Sequence, residues 1–249
     1  IVRGAADSRP QVAHAGRMKR FYRDVSVEPA EGEFRVALDR RPIRTRGGPG
    51  QVAPTRALAE ALAEEWRAQG EEIDPGRFAL RDLADYAIDR VAPDPAAAAA
   101  RLLPYAETDT LCYRADPDEP LHRRQQALWE PPVRALEARH ALRLERISGI
   151  VHRPQPPETL AKLRGVLERL DPFALAALET LTRLAASLTI GLLALEPDAD
   201  PDALFAAANC EEDWQAEQWG WDAQAEADRA LRLEAFRQAL RFARLARRG

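Results

Sequence analysis

Cysteine, histidine and serine are all scarce in this chain, and each shortage excludes a class of chemistry. Its 249 residues hold two cysteines, Cys112 and Cys210, in unrelated contexts and without CxxC spacing. That usage suits a reducing compartment and excludes a disulfide framework. The four histidines, His14, His122, His140 and His152, never fall at i, i+4 or beside a cysteine in a zinc pattern, so no metal is expected. Ser8, Ser26, Ser148 and Ser187 are the only serines, and none sits in a nucleophile elbow. Gly47, Gly48 and Gly50 surround Pro49 in a loop that lacks the spacing of a phosphate loop, so no nucleotide cofactor is expected. The longest uncharged run of the most apolar segment, 184–195, is 12 residues. A bilayer span needs about 20, so no membrane insertion is expected. A net charge of −4 gives no global basic field and argues against a nucleic-acid partner.

What is present is enough apolar residue, 46% against 31% charged, to build a core without staples. Residues 1–17 contain no apolar signal core and precede the single methionine, Met18, so they read as a leader or an added extension. From Phe21 to Ala53 the pattern has period two. Phe21, Arg23, Val25 and Val27 alternate with Tyr22, Asp24 and Ser26. Phe34, Val36 and Leu38 repeat the alternation, and Asp39-Arg40-Arg41-Pro42 separates them from Ile43 and Thr45 as a hairpin would.

After Pro54 the period becomes 3.6. Leu58, Leu62 and Trp66 share one helix face as structural residues, with Gly70 expected to close that helix as its C′ residue. Leu80, Leu83, Ala84, Ala87, Ile88 and Val91 make a second stripe, stopped by Pro93. Asp94-Pro95, Asp171-Pro172 and Asp200-Pro201 each place an N-cap acceptor before a proline at the first helical position, marking three helix starts. Further helices are expected over 158–170, 172–196, 201–219 and 221–247. The one starting at Pro172 is apolar on nearly every side and central to a bundle. Leu142, Leu144 and Ile147 suggest one more short strand. Strands first and helices afterwards indicate an α+β fold: a small β-rich N-terminal domain, 18–93, with one or two helices, then a mainly helical C-terminal domain, 94–249.

Charge is segregated at the end of the chain. Residues 184–228 contain no basic residue but eleven acids, and from Arg229 onward seven arginines face only Glu234. Either the last helix folds back onto the acidic segment, or that segment meets a partner. Glu211, Glu212, Asp213 and Glu217 with Trp219 and Trp221 form the candidate partner-binding group, since aromatics anchor interfaces and charges set partner and encounter rate. Trp214, Gln218 and Trp221 are spaced to share a helical face. No catalytic residue is identified. An enzyme with a carboxylate and tyrosine site, using Tyr105 or Tyr113 in an interdomain cleft, is the alternative.

Six motifs stand together in order: Lys19-Arg20-Phe21-Tyr22-Arg23-Asp24-Val25; Leu38-Asp39-Arg40-Arg41-Pro42-Ile43-Arg44-Thr45; Glu65-Trp66 with Gln69-Gly70-Glu71-Glu72-Ile73-Asp74-Pro75; Tyr105-Ala106-Glu107-Thr108-Asp109 with Leu111-Cys112-Tyr113-Arg114; Ser187-Leu188 with Gly191-Leu192; and Glu211 through Gly220. In that order and spacing the chain resembles the ATP synthase assembly chaperones that bind the alpha subunit of the catalytic head in mitochondria and alphaproteobacteria. The resemblance implies a β-rich domain joined to a helical one and no enzymatic activity. It also implies a role in holding unassembled alpha subunit on the face that would meet the beta subunit. The protein would then be a monomer of the bacterial cytoplasm, with relatives in the mitochondrial matrix. Where this family more often has glycine in the hairpin, the chain has Arg40, which implies a different turn type if that position needs a positive φ.

Overall fold

In the computed structural model, residues 18–149 and 152–248 are described. The expected leader, 1–17, lies outside them. Strand β1 is Met18–Lys19, β2 Val25–Ala30, β3 Glu33–Leu38 and β4 Arg41–Pro42. Then come helix α1 (Arg56–Arg67), β5 (Glu72–Ile73) and α2 (Ala79–Tyr86), which runs into a π turn at Ala87–Val91. The chain continues through α3 (Pro95–Leu102), α4 (Pro104–Glu107), β6 (Tyr113–Arg114), α5 (Pro120–His140), β7 (Ile147–Ser148) and α6 (Pro157–Leu167). It ends with α7 (Pro172–Ala185), α8 (Leu188–Ala194), α9 (Pro201–Ala208), α10 (Cys210–Trp219) and α11 (Ala223–Ala246). The α+β reading therefore holds, with the main sheet at the start and helices after it. Among the described residues no helix is long and apolar enough to cross a membrane.

The sheet orders β2-β3-β4, all antiparallel, and β1 pairs with β5. The expected alternation is one residue out of phase at its start: Tyr22 is buried and Phe21 is 62% exposed. Tyr22 donates its hydroxyl to the Trp66 carbonyl at 2.7 Å, and Arg20 reaches the Gln69 carbonyl at 2.7 Å, so this segment is a strap across α1 rather than part of β2. Pairing in the three-stranded sheet starts only at Val25, opposite Leu38.

The hairpin also departs from expectation. Leu38 pairs with Arg41, leaving Asp39 and Arg40 as a two-residue loop with φ of 47° and 65°. Both are left-handed, as a type I′ turn requires, so arginine does not change the turn type. It adopts a conformation that is strained for a side chain, while Asp39 Oδ1 accepts the N–H groups of Arg23 and Asp24 at 3.0 and 2.8 Å. Relief of about 1–2 kcal/mol of left-handed strain, less the entropy that glycine loses on folding, gives Arg40→Gly an expected gain of about 0.5–1 kcal/mol. A higher denaturant midpoint at unchanged slope checks this.

Helix α1 buries Leu58, Leu62 and Trp66, as its stripe predicts. It ends at Arg67 with Ala68 as its C-cap, two residues before Gly70, which has no positive φ and is no cap. The glutamate of the third motif is structural. Glu65 Oε1 and Oε2 accept the N–H groups of Leu80 and Arg81 at 2.7 and 2.9 Å, capping α2 from a neighbouring helix. All three Asp-Pro pairs cap as expected, Asp94 to Ala97, Asp171 to Phe173 and Ala174, and Asp200 to Asp202 and Ala203.

The single long helix expected from Pro172 is two. Ala186 turns left-handed at φ 47°, and Ser187 restarts the chain as the N-cap of α8. Buried Asp109 holds this break from outside, accepting the N–H groups of Thr189 at 2.8 Å and Leu111 at 3.1 Å. Gly191 lets α8 approach α7, since a Cβ there would overlap Thr182 Oγ1 and lie 2.9 Å from Leu178 Cδ1. The fourth and fifth motifs are thus two sides of one contact. Helix α7 is central, packed by α2, α3, α8, α11 and the π turn. Helix α5 carries Pro131 and Pro132 inside it, and the sequence pattern assigns no helix there. The strand expected over Leu142–Ile147 shrinks to Ile147–Ser148, parallel to β6.

Candidate partner-binding surface

Helix α10 lies between α5 and the first turns of α11, and arginines from both sides meet its acids. Arg229 forks onto Asp213 with Nε and Nη2 both at 2.8 Å, and Arg232 Nη2 meets both oxygens of Glu212 at 2.7 and 2.6 Å. The last helix therefore does fold back. From α5, Arg124 pairs bidentately with Glu217, with Nη2 at 2.8 Å from Oε1, and Gln125 Nε2 donates to Glu211 Oε1 at 2.7 Å. The Arg124 hydrogen bond holds the Glu217 carboxyl below its ordinary range. Further out, Arg139 meets Glu196 at 2.5 Å and Arg237 meets Asp202 at 2.8 Å. Five arginines from outside the segment thus pair with five of its eleven acids.

The tryptophans divide in three. Trp214 is half-buried beneath the Arg124 guanidinium, 5.7 Å from its ring centre. Trp219, the last residue of α10, is 80% exposed. Trp221 is 40% exposed and lies under Arg229 at 5.7 Å. Gly220 separates these last two with φ 86° and ψ 160°, a region open only to glycine, so Trp214, Gln218 and Trp221 do not share one helical face. This bend turns Trp219 outward. Beyond it, Asp222 caps α11 through the Ala225 N–H and Asp228 accepts from Gln224. Neither they nor Glu226 has an ion-pair partner among the described residues. The exposed Trp219 at the end of α10, the three acids without ion-pair partners that follow it in the chain, and Leu231, 71% exposed on α11, are what the geometry leaves available to a partner.

Sequence reasoning missed Arg124, Gln125 and Leu231. The first two act on α10 from about ninety residues away, and no local pattern links them. Of the residues of the enzymatic alternative, Tyr113 hydrogen-bonds His152 Nδ1 at 2.7 Å, and the two line an open cavity of about 410 Å³ with Glu211, Thr108 and Thr110. Tyr105 does not line it. Burial pushes the Cys112 thiol far up, which makes it inert as a nucleophile. Among the described residues no group of histidine, cysteine or carboxylate side chains could hold a metal ion.

Known proteins share this fold. The profile of the family described as ATP12 chaperone protein matches residues 19–137. The crystal structure of Atp12 from Paracoccus denitrificans superposes with a TM-score of 0.88 at 42% identity, covering 92% of this chain and 99% of that one. A protein of Agrobacterium tumefaciens superposes at 0.86 and 39% identity, covering 90% and 85%. Protein atp12, mitochondrial, of Schizosaccharomyces pombe is 23% identical over 81% of this chain and 74% of its own length. With its motifs, its fold and this degree of identity to a solved relative, the chain belongs to the ATP12 chaperone family.

Proposed function

We propose that this chaperone serves ATP synthase assembly by binding the unassembled alpha subunit of the catalytic head and shielding the face that later meets the beta subunit. It does so as a monomer without turnover or cofactor, and on this reading its compartment is the bacterial cytoplasm. The observation that carries the reading is the 80% exposed Trp219, held at an acidic corner by Gly220 and backed by ion pairs that fix α10 between two helices. A large indole left in water is costly unless a partner covers it, and tryptophan is among the strongest interface anchors. Trp221 extends the apolar contact. Glu217, with a side chain 54% exposed, and Glu211 retain outward lone pairs for cations of the partner, while Glu212 and Asp213 are used mainly in holding α11.

Co-expression with the cognate alpha subunit is expected to yield a complex lacking beta. Trp219→Ser removes an exposed side chain, so the fold should be unchanged while alpha-subunit affinity falls at least tenfold. Wild-type affinity in that variant would move the docking surface elsewhere.

A further inference from the structure

The opposite end of the chain carries the reverse charge. From Arg35 to Arg56, both included, stand six arginines and one acid, Asp39. The turn at Asp39-Arg40 and the packing of α1 against the sheet gather part of this segment around a groove of about 600 Å³, walled by Phe21, Pro42, Ile43 and Trp66 and rimmed by Arg41 and Arg44. Its carboxylates are engaged internally: Asp39 by two backbone N–H groups, Asp85 by Gln51 Nε2 at 2.5 Å and the Arg46 N–H at 3.3 Å. Arg41 and Arg44 are exposed, and among the described residues neither has a carboxylate ion-pair partner. Trp66, 8% exposed, has a buried indole N–H with no acceptor. Its ring lines the groove while its N–H lies out of reach of solvent, so the indole senses what fills the groove without bonding to it.

We propose that this groove docks a peptide segment of the client protein in which a carboxylate stands next to an aromatic or aliphatic side chain. The carboxylate pairs with Arg41 and Arg44, and the apolar side chain lies against Phe21 and Pro42. The occupant is a polypeptide rather than a small metabolite because the chain belongs to a chaperone family, and because the Phe21 ring, 62% exposed, carries apolar contact beyond the groove beside the two unpaired arginines. The inference rests on the chain being a chaperone for another protein and does not depend on which subunit that is.

The probe is the peptide acetyl-Gly-Phe-Asp-Leu-Glu-Gly-amide, titrated into the full chain while the indole N–H signals are followed by NMR, with Trp66 assigned from Trp66→Phe. A saturable shift of the Trp66 signal is expected. The Arg41→Ala, Arg44→Ala double variant, altered only at exposed side chains, should weaken binding at least tenfold, as should the Asn/Gln version of the peptide. Absence of a Trp66 shift at millimolar peptide overturns the proposal. So does equal binding of the amide peptide, or wild-type affinity in the double variant. A shift at Trp219 or Trp221 instead also overturns it, putting the peptide on the acidic corner. Tighter competition by a single-stranded oligonucleotide does the same by identifying a general polyanion site. Because these readouts use no alpha subunit, their failure is separate from failure of the co-expression experiment.

Discussion

Trp66→Ala is expected to cost about 3–5 kcal/mol of unfolding free energy, the range for truncating a buried large aromatic. Trp66 is the point where the strap, α1 and the entry to α2 meet. Its ring lies edge-on to Tyr22 at 5.5 Å, against Phe78 at 4.6 Å and under the Arg81 guanidinium at 5.7 Å. The main chain at this residue also receives the Tyr22 hydroxyl, so a cavity here loosens the strap and the helix together. Phe78 immediately precedes α2 and has no capping side chain of its own; the cap comes from Glu65, next to Trp66. Trp66→Phe should retain more than half of the lost stability, because it keeps the ring contacts and removes the unpaired N–H. Equilibrium denaturation checks both variants. A loss under about 1 kcal/mol for Trp66→Ala would mean the indole is not a core element and serves the groove alone.

Glu130→Gln is expected to cost about 2 kcal/mol at pH 7 and almost nothing near pH 2. Burial works to raise the Glu130 carboxyl, but hydrogen bonds from Arg134, Arg146 and Arg114 at 2.8, 3.0 and 2.9 Å reverse this and hold it at about 2, against an ordinary 4.5. The native state then binds this proton more weakly than the unfolded chain. The stabilisation is fully present above pH 4.5 and is lost as pH falls through that window toward 2. A depression of this size corresponds to about 3 kcal/mol. Glu130 borders an open polar cavity, and solvent there screens part of it, hence the lower figure. The variant also leaves the buried guanidinium of Arg114 without its carboxylate. Urea titrations at pH 7, 5 and 3 should show the gap between wild type and variant closing as pH falls. A gap constant with pH would assign the effect to packing.

The proposed docking corner was legible only in outline. Exposed Trp219 and the acidic run are visible as composition, because aromatics amid like charge are unusual in any context. Which acids remain free is not visible. Glu212 and Asp213 look in sequence like a partner-facing pair with Glu217, yet Arg232 and Arg229 already hold them. The basic groove is likewise invisible as a site: its wall comes from the strap and α1, and its rim from the hairpin.

By itself the sequence determined the elements whose signals are local. These are the order of strands before helices, the buried stripe of Leu58, Leu62 and Trp66, and the three Asp-Pro helix starts. Each depends on a side chain and its neighbours within a turn, so spacing carries the information. Only tertiary structure decided the division of the Pro172 helix by Asp109, the helix through Pro131 and Pro132, and the left-handed Arg40. It likewise decided the neutralisation of α10 by α5 and α11. In all but the Arg40 turn, groups far apart in sequence set the local outcome. Asp109 caps a helix eighty residues on, and Trp129 anchors the proline-bearing helix by giving its indole N–H to the Ala207 carbonyl at 2.7 Å. Hydrogen bonds and charges made across such distances outweigh local preferences of about 1 kcal/mol, and nothing in the spacing of neighbouring residues records them.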